Sequence, residues 1–125
     1  MTVRRIVANL AAADPRPARA FYETLLDLNV VMDHGWILTF ASEASAAPQL
    51  SVASEGGSGT PVPDLSIEVD DVDQIYQRAK IAGIEITYDI TDEPWGVRRF
   101  FLRDPLGNIL NILSHSEWQP REGSA

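Results

Sequence analysis

Periodic segments occur in the order strand, helix, strand, strand, strand, and then the same order recurs; this repetition constrains the fold more than any single motif. Val3–Leu10 (VRRIVANL) alternates as a strand, with Ile6, Ala8 and Leu10 on one face and Val7 and Asn9 on the other. Asp14 and Pro15 form a helix start, an acceptor side chain followed by a residue that needs no N–H. Ala18, Phe21, Tyr22 and Leu25 then recur at helical spacing, and the helix should end near Asp27. Strands are expected at Leu28–Met32, Trp36–Ala41 and Gln49–Ala53, with a turn at DHG (33–35). In the second half DLSIEVDD (64–71) sets Leu65, Ile67 and Val69 against Asp64, Ser66 and Glu68. Asp71 caps a helix with the stripe Val72, Ile75, Tyr76, Ala79 and Ala82, and Gly83 stops it. Strands follow at Glu85–Ile90, Val97–Arg103 and Asn108–Leu113.

The helix starts Asp14 and Asp71 lie 57 residues apart, and the helix ends Asp27 and Gly83 lie 56 apart. The chain therefore reads as an internal duplication of a βαβββ unit. Repeat one covers about 3–53, a Gly/Pro/Ser-rich linker SEGGSGTPVP about 54–63, repeat two about 64–113, and a frayed tail 114–125. The fold class is α+β. One helix against four short strands is a poor unit alone, so the halves should pack together or exchange partners in a dimer.

At 125 residues this is a single domain, able to bury roughly two-thirds of its unfolded surface. With no cysteine there are no disulfides and no thiolate metal ligands. A net charge of −8 argues against nucleic acid, whose phosphates need a basic footprint. No apolar run approaches the ~20 residues of a membrane span. MTVRRIVANLAAADP reads as a first strand rather than a signal peptide, so a cytoplasmic protein is expected.

The stretch PWGVRRFFLRDPLGNILNIL (94–113), with ARAFYETLLDL (18–28) and SIEVDDVDQIYQRAKIAGI (66–84), carries a resemblance to a known family. Two βαβββ units with a DPxGN turn before the last strand resemble the glyoxalase/bleomycin-resistance/dioxygenase, or vicinal oxygen chelate, superfamily. The resemblance implies a cup-shaped mixed sheet with helices outside, a ligand inside the cup, and in many members a homodimer. The turn also makes sense by itself: Asp104 accepts from nearby backbone N–H groups, Pro105 fixes φ and Gly107 allows φ above zero.

Metal-dependent members place His, Glu or Gln ligands on four strands. Carried over residue by residue, those positions fall on Val7, Ser51, Asp64 and Asn111. Only Asp64 is a competent ligand; Val7 has no donor, and neutral Ser51 and Asn111 are weak ones. His34 in a turn and His115 beyond the last strand read as solvated loop residues. No metal and no other cofactor is therefore expected.

Alternation turns Asn9, Ser51, Asp64, Glu68 and Asn111 inward, and Arg99 and Phe101 are assigned inward over Phe100 and Leu102. Trp36 and Trp95 either wall the cleft or pack in the core. These residues outline an apolar, aromatic pocket with a few polar anchors, fit for a small organic ligand. The acidic pair Asp64 and Glu68 suits a cationic one, and Arg98, Arg99 and Arg103 are left to pair with that acidic pair, with Asp92 and Glu93, or with a ligand carboxylate. No nucleophile motif, phosphate loop or dinucleotide fingerprint is present, and GGSG (56–59) reads as linker. The expected function is ligand binding without chemistry, as in the bleomycin-resistance branch. The alternatives are a metal-dependent lyase, isomerase or dioxygenase of the same superfamily, and a non-catalytic interaction module.

Overall fold

The computed structural model describes residues 1–43 and 49–115, apart from the Leu25 side chain. In chain order the elements are β1 (Val3–Ala11), α1 (Pro17–Leu26), β2 (Asn29–Asp33), β3 (Ile37–Ala41) and β4 (Gln49–Ala53). Then come β5 (Leu65–Val69), α2 (Val72–Ile81), β6 (Ile86–Asp92), β7 (Val97–Arg103) and β8 (Ile109–His115). This is the duplicated βαβββ order. The eight strands form one mixed sheet, in which β1 and β4 run parallel while β2–β3, β3–β4, β6–β7 and β7–β8 are antiparallel.

Two compact units emerge, and their boundary does not follow the repeats. One unit is Val7–Leu65; the other joins Met1–Ile6 to the chain from Ser66 onward. Strand β1 thus serves both: in the first unit the order is β2-β3-β4-β1, in the second β1-β5-β8-β7-β6. Backbone bonds fix the two ends of β1, Asn9 N–H to Asp64 O at 3.1 Å in the first unit and Asp70 N–H to Thr2 O at 3.1 Å in the second.

Each unit has its own apolar core on its helix side. In the Val7–Leu65 unit Leu38, Phe40 and Val52 pack with Ala18 and Tyr22 of α1 and with Leu28 and Val30. In the other, Val69, Phe100, Leu102 and Ile112 pack with Val72, Ile75, Tyr76 and Ala79 of α2. The α2 ends are as the sequence implies: the Asp71 carboxylate accepts from Gln74 N–H at 3.1 Å, and Gly83 at φ 72° reverses the chain. The α1 start is not. Asp14 accepts from the backbone N–H of Arg16 at 3.1 Å and pairs with its guanidinium at 2.9 Å, while the helix itself begins at Pro17 with Arg16 at its cap position.

The segment 54–63 is a tight turn rather than an open linker. Gly56 N–H donates to Thr60 O at 2.8 Å, Thr60 N–H to Gly57 O at 3.0 Å, and Gly59 N–H to the Glu55 carboxylate at 2.9 Å. A Cβ on Gly56 would collide with Pro61 O and the Thr60 hydroxyl, so glycine is required there. The β8 strand runs on through Ser114 and His115, residues expected in the tail; the rest of that tail, 116–125, lies outside the described residues.

The DPLGN turn sets the register of β7 against β8. Asp104 Oδ1 accepts from Leu106 N–H at 2.9 Å and Asn108 N–H at 2.8 Å, while Asn108 Nδ2 donates to Oδ2 at 3.0 Å. These bonds, the Asn108 side chain foremost, hold the Asp104 carboxyl below its ordinary pKa. A depressed carboxyl pKa stabilises the fold above the unfolded value and loses that contribution as pH falls through the folded one. Asp104→Ala should therefore be less stable than the parent at pH 7, with the gap closing as urea titrations are repeated below about pH 4. A gap that stays constant down to pH 2 would show that the carboxylate is not what holds the turn.

Candidate ligand site

Strand alternation decides which side chains leave the helix-packed face. In β7, Phe100 and Leu102 belong to the α2 core, which puts Arg99 and Phe101 on the opposite face. In β8, Ile112 packs with α2, so Asn111 and Leu113 also face away, and in β5 the same logic exposes that face to Ser66 and Glu68.

In the unit containing β5 to β8, Arg99 is 3% exposed and its Nε donates to Glu93 Oε2 at 2.7 Å. The Tyr88 hydroxyl donates to the same oxygen at 2.8 Å. Three rings surround the guanidinium, its carbon 5.2 Å from the Tyr88 centroid, 4.9 Å from Trp95 and 4.8 Å from Phe101. Trp95, Arg99 and Phe101 are thus brought together around an internal ion pair. Glu93 is one of the acids the sequence offers to these arginines, and the EPWGV hairpin brings it there: Glu93 N–H donates to Val97 O at 2.7 Å, which places Glu93 beside Val97, two residues along β7 from Arg99. The neighbouring arginines are committed elsewhere, Arg98 to Asp73 and Asp92 at 2.9 and 3.1 Å, and Arg103 to Glu85 at 3.2 Å.

Glu68 does not offer a free carboxylate. Arg5 Nε lies 3.0 Å from its Oε1, Arg4 Nε 3.8 Å from Oε2, and His115 Nδ1 donates to Oε2 at 2.9 Å. The acidic half-lining expected for a cation is already neutralised at this residue, and His115 is a half-buried partner rather than a solvated loop histidine. Asn111 is 7% exposed; its Nδ2 donates to Ser66 Oγ at 3.1 Å, and its Oδ1 is buried without a hydrogen-bond donor.

In the Val7–Leu65 unit, register aligns Asn9 with Ser51 and Ser51 with Thr39 on one face of β1, β4 and β3. Ser51 and Thr39 are each 2% exposed and share a hydrogen bond of 2.7 Å. Val7 is buried on the same face of β1 as Asn9. Asp64 is exposed just before β5, and Trp36 is half-buried before β3 with its ring stacked on His34 at 6.1 Å.

The donor set does not fit the divalent metal that the resemblance implies for many relatives. Val7 supplies no lone pair, the Ser51 hydroxyl is engaged by Thr39, and Asn111 brings one neutral carbonyl. Among the described residues no group of three or more His, Cys, Asp or Glu is arranged to hold a metal ion. No helix among them is long and apolar enough to cross a membrane.

A family model described as Glyoxalase/Bleomycin resistance protein/Dioxygenase superfamily matches residues 4–112. Among solved structures, a Legionella pneumophila protein described as an NAD-dependent benzaldehyde dehydrogenase is similar at 20% identity and a TM-score of 0.71, over 89% of this chain and 99% of that one. A member of the same superfamily from Vibrio splendidus 12B01 gives 19% identity and 0.63, over 90% and 99%. Methylmalonyl-CoA epimerase from Mycobacterium tuberculosis gives 20% and 0.63, over 95% and 90%. At these identities the likeness is one of fold. No curated protein matches the chain.

The Arg99–Glu93 pair is buried on both sides, which sets a stability test. Removing one partner strands the other charge, so Glu93→Gln should lower the unfolding free energy by ~3–5 kcal/mol. A paired replacement, Glu93→Leu with Arg99→Met, should cost less than that single change. Chemical denaturation of the three proteins checks the order, and a Glu93→Gln cost under about 1 kcal/mol would place the pair in the class of solvated surface bridges.

Proposed function

The chain belongs to the Glyoxalase/Bleomycin resistance protein/Dioxygenase superfamily, and we propose that this protein binds a small organic ligand without the family's metal and without altering it. The observation that carries this reading is the donor set. The four positions that hold metal in metal-dependent relatives are Val7, Ser51, Asp64 and Asn111, and they do not amount to three competent ligands around one centre. A lyase, isomerase or dioxygenase of the superfamily needs such a centre to polarise a substrate oxygen.

The ligand-facing residues in this reading are Asn9, Ser51 and Asp64, with Trp36 at the edge, and Glu68, Trp95, Arg99, Phe101 and Asn111. Their roles divide by what each already touches. Arg99 and Trp95 brace Phe101, whose ring and the neighbouring Leu113 supply apolar surface, and Asn111 supplies a polar anchor. The cationic ligand that the Asp64 and Glu68 pattern suggests loses half its support, because Glu68 is held by Arg5 and Arg4. Sequestration of an antibiotic, as in the bleomycin-resistance branch, remains one form this activity takes, located in the cytoplasm.

Thermal or chemical melting in the presence of a chelator tests the reading against a library of small aromatic compounds. A true ligand at a hundred times its Kd adds about 2.7 kcal/mol of apparent stability. That gain should persist in EDTA, and mass spectrometry should recover the compound unchanged. Stabilisation that appears only with added divalent metal, or conversion of the compound, would contradict the proposal.

The homodimer belongs to the same proposal, and β1 carries the surface for it. Ile6 is 56% exposed, Leu10 47%, and Ala8 lies exposed between them on one face of the strand. Three apolar residues in a row on a strand make a continuous strip rather than scattered single exposures. The expected solution mass is twice the 13.8 kDa of the chain, and Ile6→Glu should reduce it to the monomer. Sedimentation of the parent as a monomer, or of the variant as an unchanged dimer, would count against this surface.

A further inference from the structure

We propose that Asn111 anchors an uncharged hydrogen-bond donor of the ligand, an amide N–H or a hydroxyl, seated against Phe101. The inference rests on the binding reading above and narrows the ligand class. Its starting point is a buried acceptor with no donor. Asn111 Oδ1 lies on the face of β8 turned away from α2, while the other end of the same amide is fixed by Ser66 Oγ at 3.1 Å.

Native interiors leave few polar atoms in that condition, because each costs about 1–3 kcal/mol when its partner is missing. The row in which Asn111 stands is otherwise apolar, with Ile109 before it and Leu113 after it on the same face. Leucine at 111 would continue that row and remove the cost, so the carbonyl is kept for something that reaches it. Ser66 orients the amide, leaving Oδ1 as the end that remains to be met. Across the β7–β8 ladder the residue opposite Asn111 is Phe101, 2% exposed and braced by the Arg99 guanidinium. An aromatic or planar ligand body on that ring would bring a substituent to Oδ1.

Charge selects which donor. The carboxylates Glu68 and Glu93 of this unit already face arginines: Arg5 and Arg4 for the first, Arg99 for the second. Carboxylates engaged in this way are poor partners for an ammonium group. A carboxylate is turned away by Oδ1 itself, which only accepts. A neutral N–H or O–H satisfies both conditions.

The test uses three probes of one size: benzamide, acetophenone, which replaces its NH2 by a methyl, and benzylammonium. Dissociation constants are measured with the full chain, parent and variants alike, by NMR titration following the backbone amides of Phe101 and Ile112. Benzamide should bind about tenfold or more tightly than acetophenone, the fold-change that one satisfied buried acceptor supplies. Asn111→Leu should erase that preference while leaving acetophenone binding in place, and Asn111→Asp should turn the preference toward benzylammonium. Equal binding of benzamide and acetophenone, a preference that survives Asn111→Leu, or tightest binding of benzylammonium by the parent would overturn the assignment of Asn111 while leaving a ligand-binding protein. Failure of all three probes to bind would overturn the binding reading with it.

Discussion

A strand can give only every second side chain to one face, and this period of two governs both units of the structure. Once Leu38, Phe40 and Val52 are committed to α1, Thr39 and Ser51 must lie on the other side of the sheet; once Phe100, Leu102 and Ile112 are committed to α2, Arg99, Phe101 and Asn111 must. The helix-side core clusters are apolar, and the polar residues Thr39, Ser51, Arg99 and Asn111 fall on the opposite faces, where burial makes each unpaired group expensive.

The protein meets that expense by pairing. Thr39 holds Ser51, Glu93 holds Arg99 with help from Tyr88, and Glu68 gathers Arg5, Arg4 and His115. In the Val7–Leu65 unit, Val7 is buried on the face of β1 that also carries Asn9. In the unit of β5 to β8, that pairing leaves over the carbonyl of Asn111, across the ladder from Phe101.

Much of this was legible from the chain alone. The Asp71 cap, the Gly83 stop and the DPLGN turn are local signals, and local hydrogen bonds in the structure account for each, while of the alternating Leu65, Ile67 and Val69 the last two join the α2 core and Leu65 stays exposed. The duplicated order needed only the spacing of the two helices. What the sequence concealed depended on competition or on distance. Asp14 looks like a helix cap until Arg16 takes its carboxylate. The GGSG stretch has the composition of a linker, yet Thr60 and Gly57 fold it into a tight turn with glycine obligatory at 56. Glu68 reads as a free acid because Arg5 and His115, its partners, lie 63 and 47 residues away in the chain. The division of β1 between two units is likewise a tertiary property, invisible to any repeat analysis.

If Val7, Ser51, Asp64 and Asn111 hold no metal, calorimetric titration of Ni²⁺, Zn²⁺, Mn²⁺ and Fe²⁺ into chelator-stripped protein should give no saturable heat at one ion per chain for any of the four. Tight stoichiometric binding of one of them would contradict it, and would turn the search toward lyase and dioxygenase substrates.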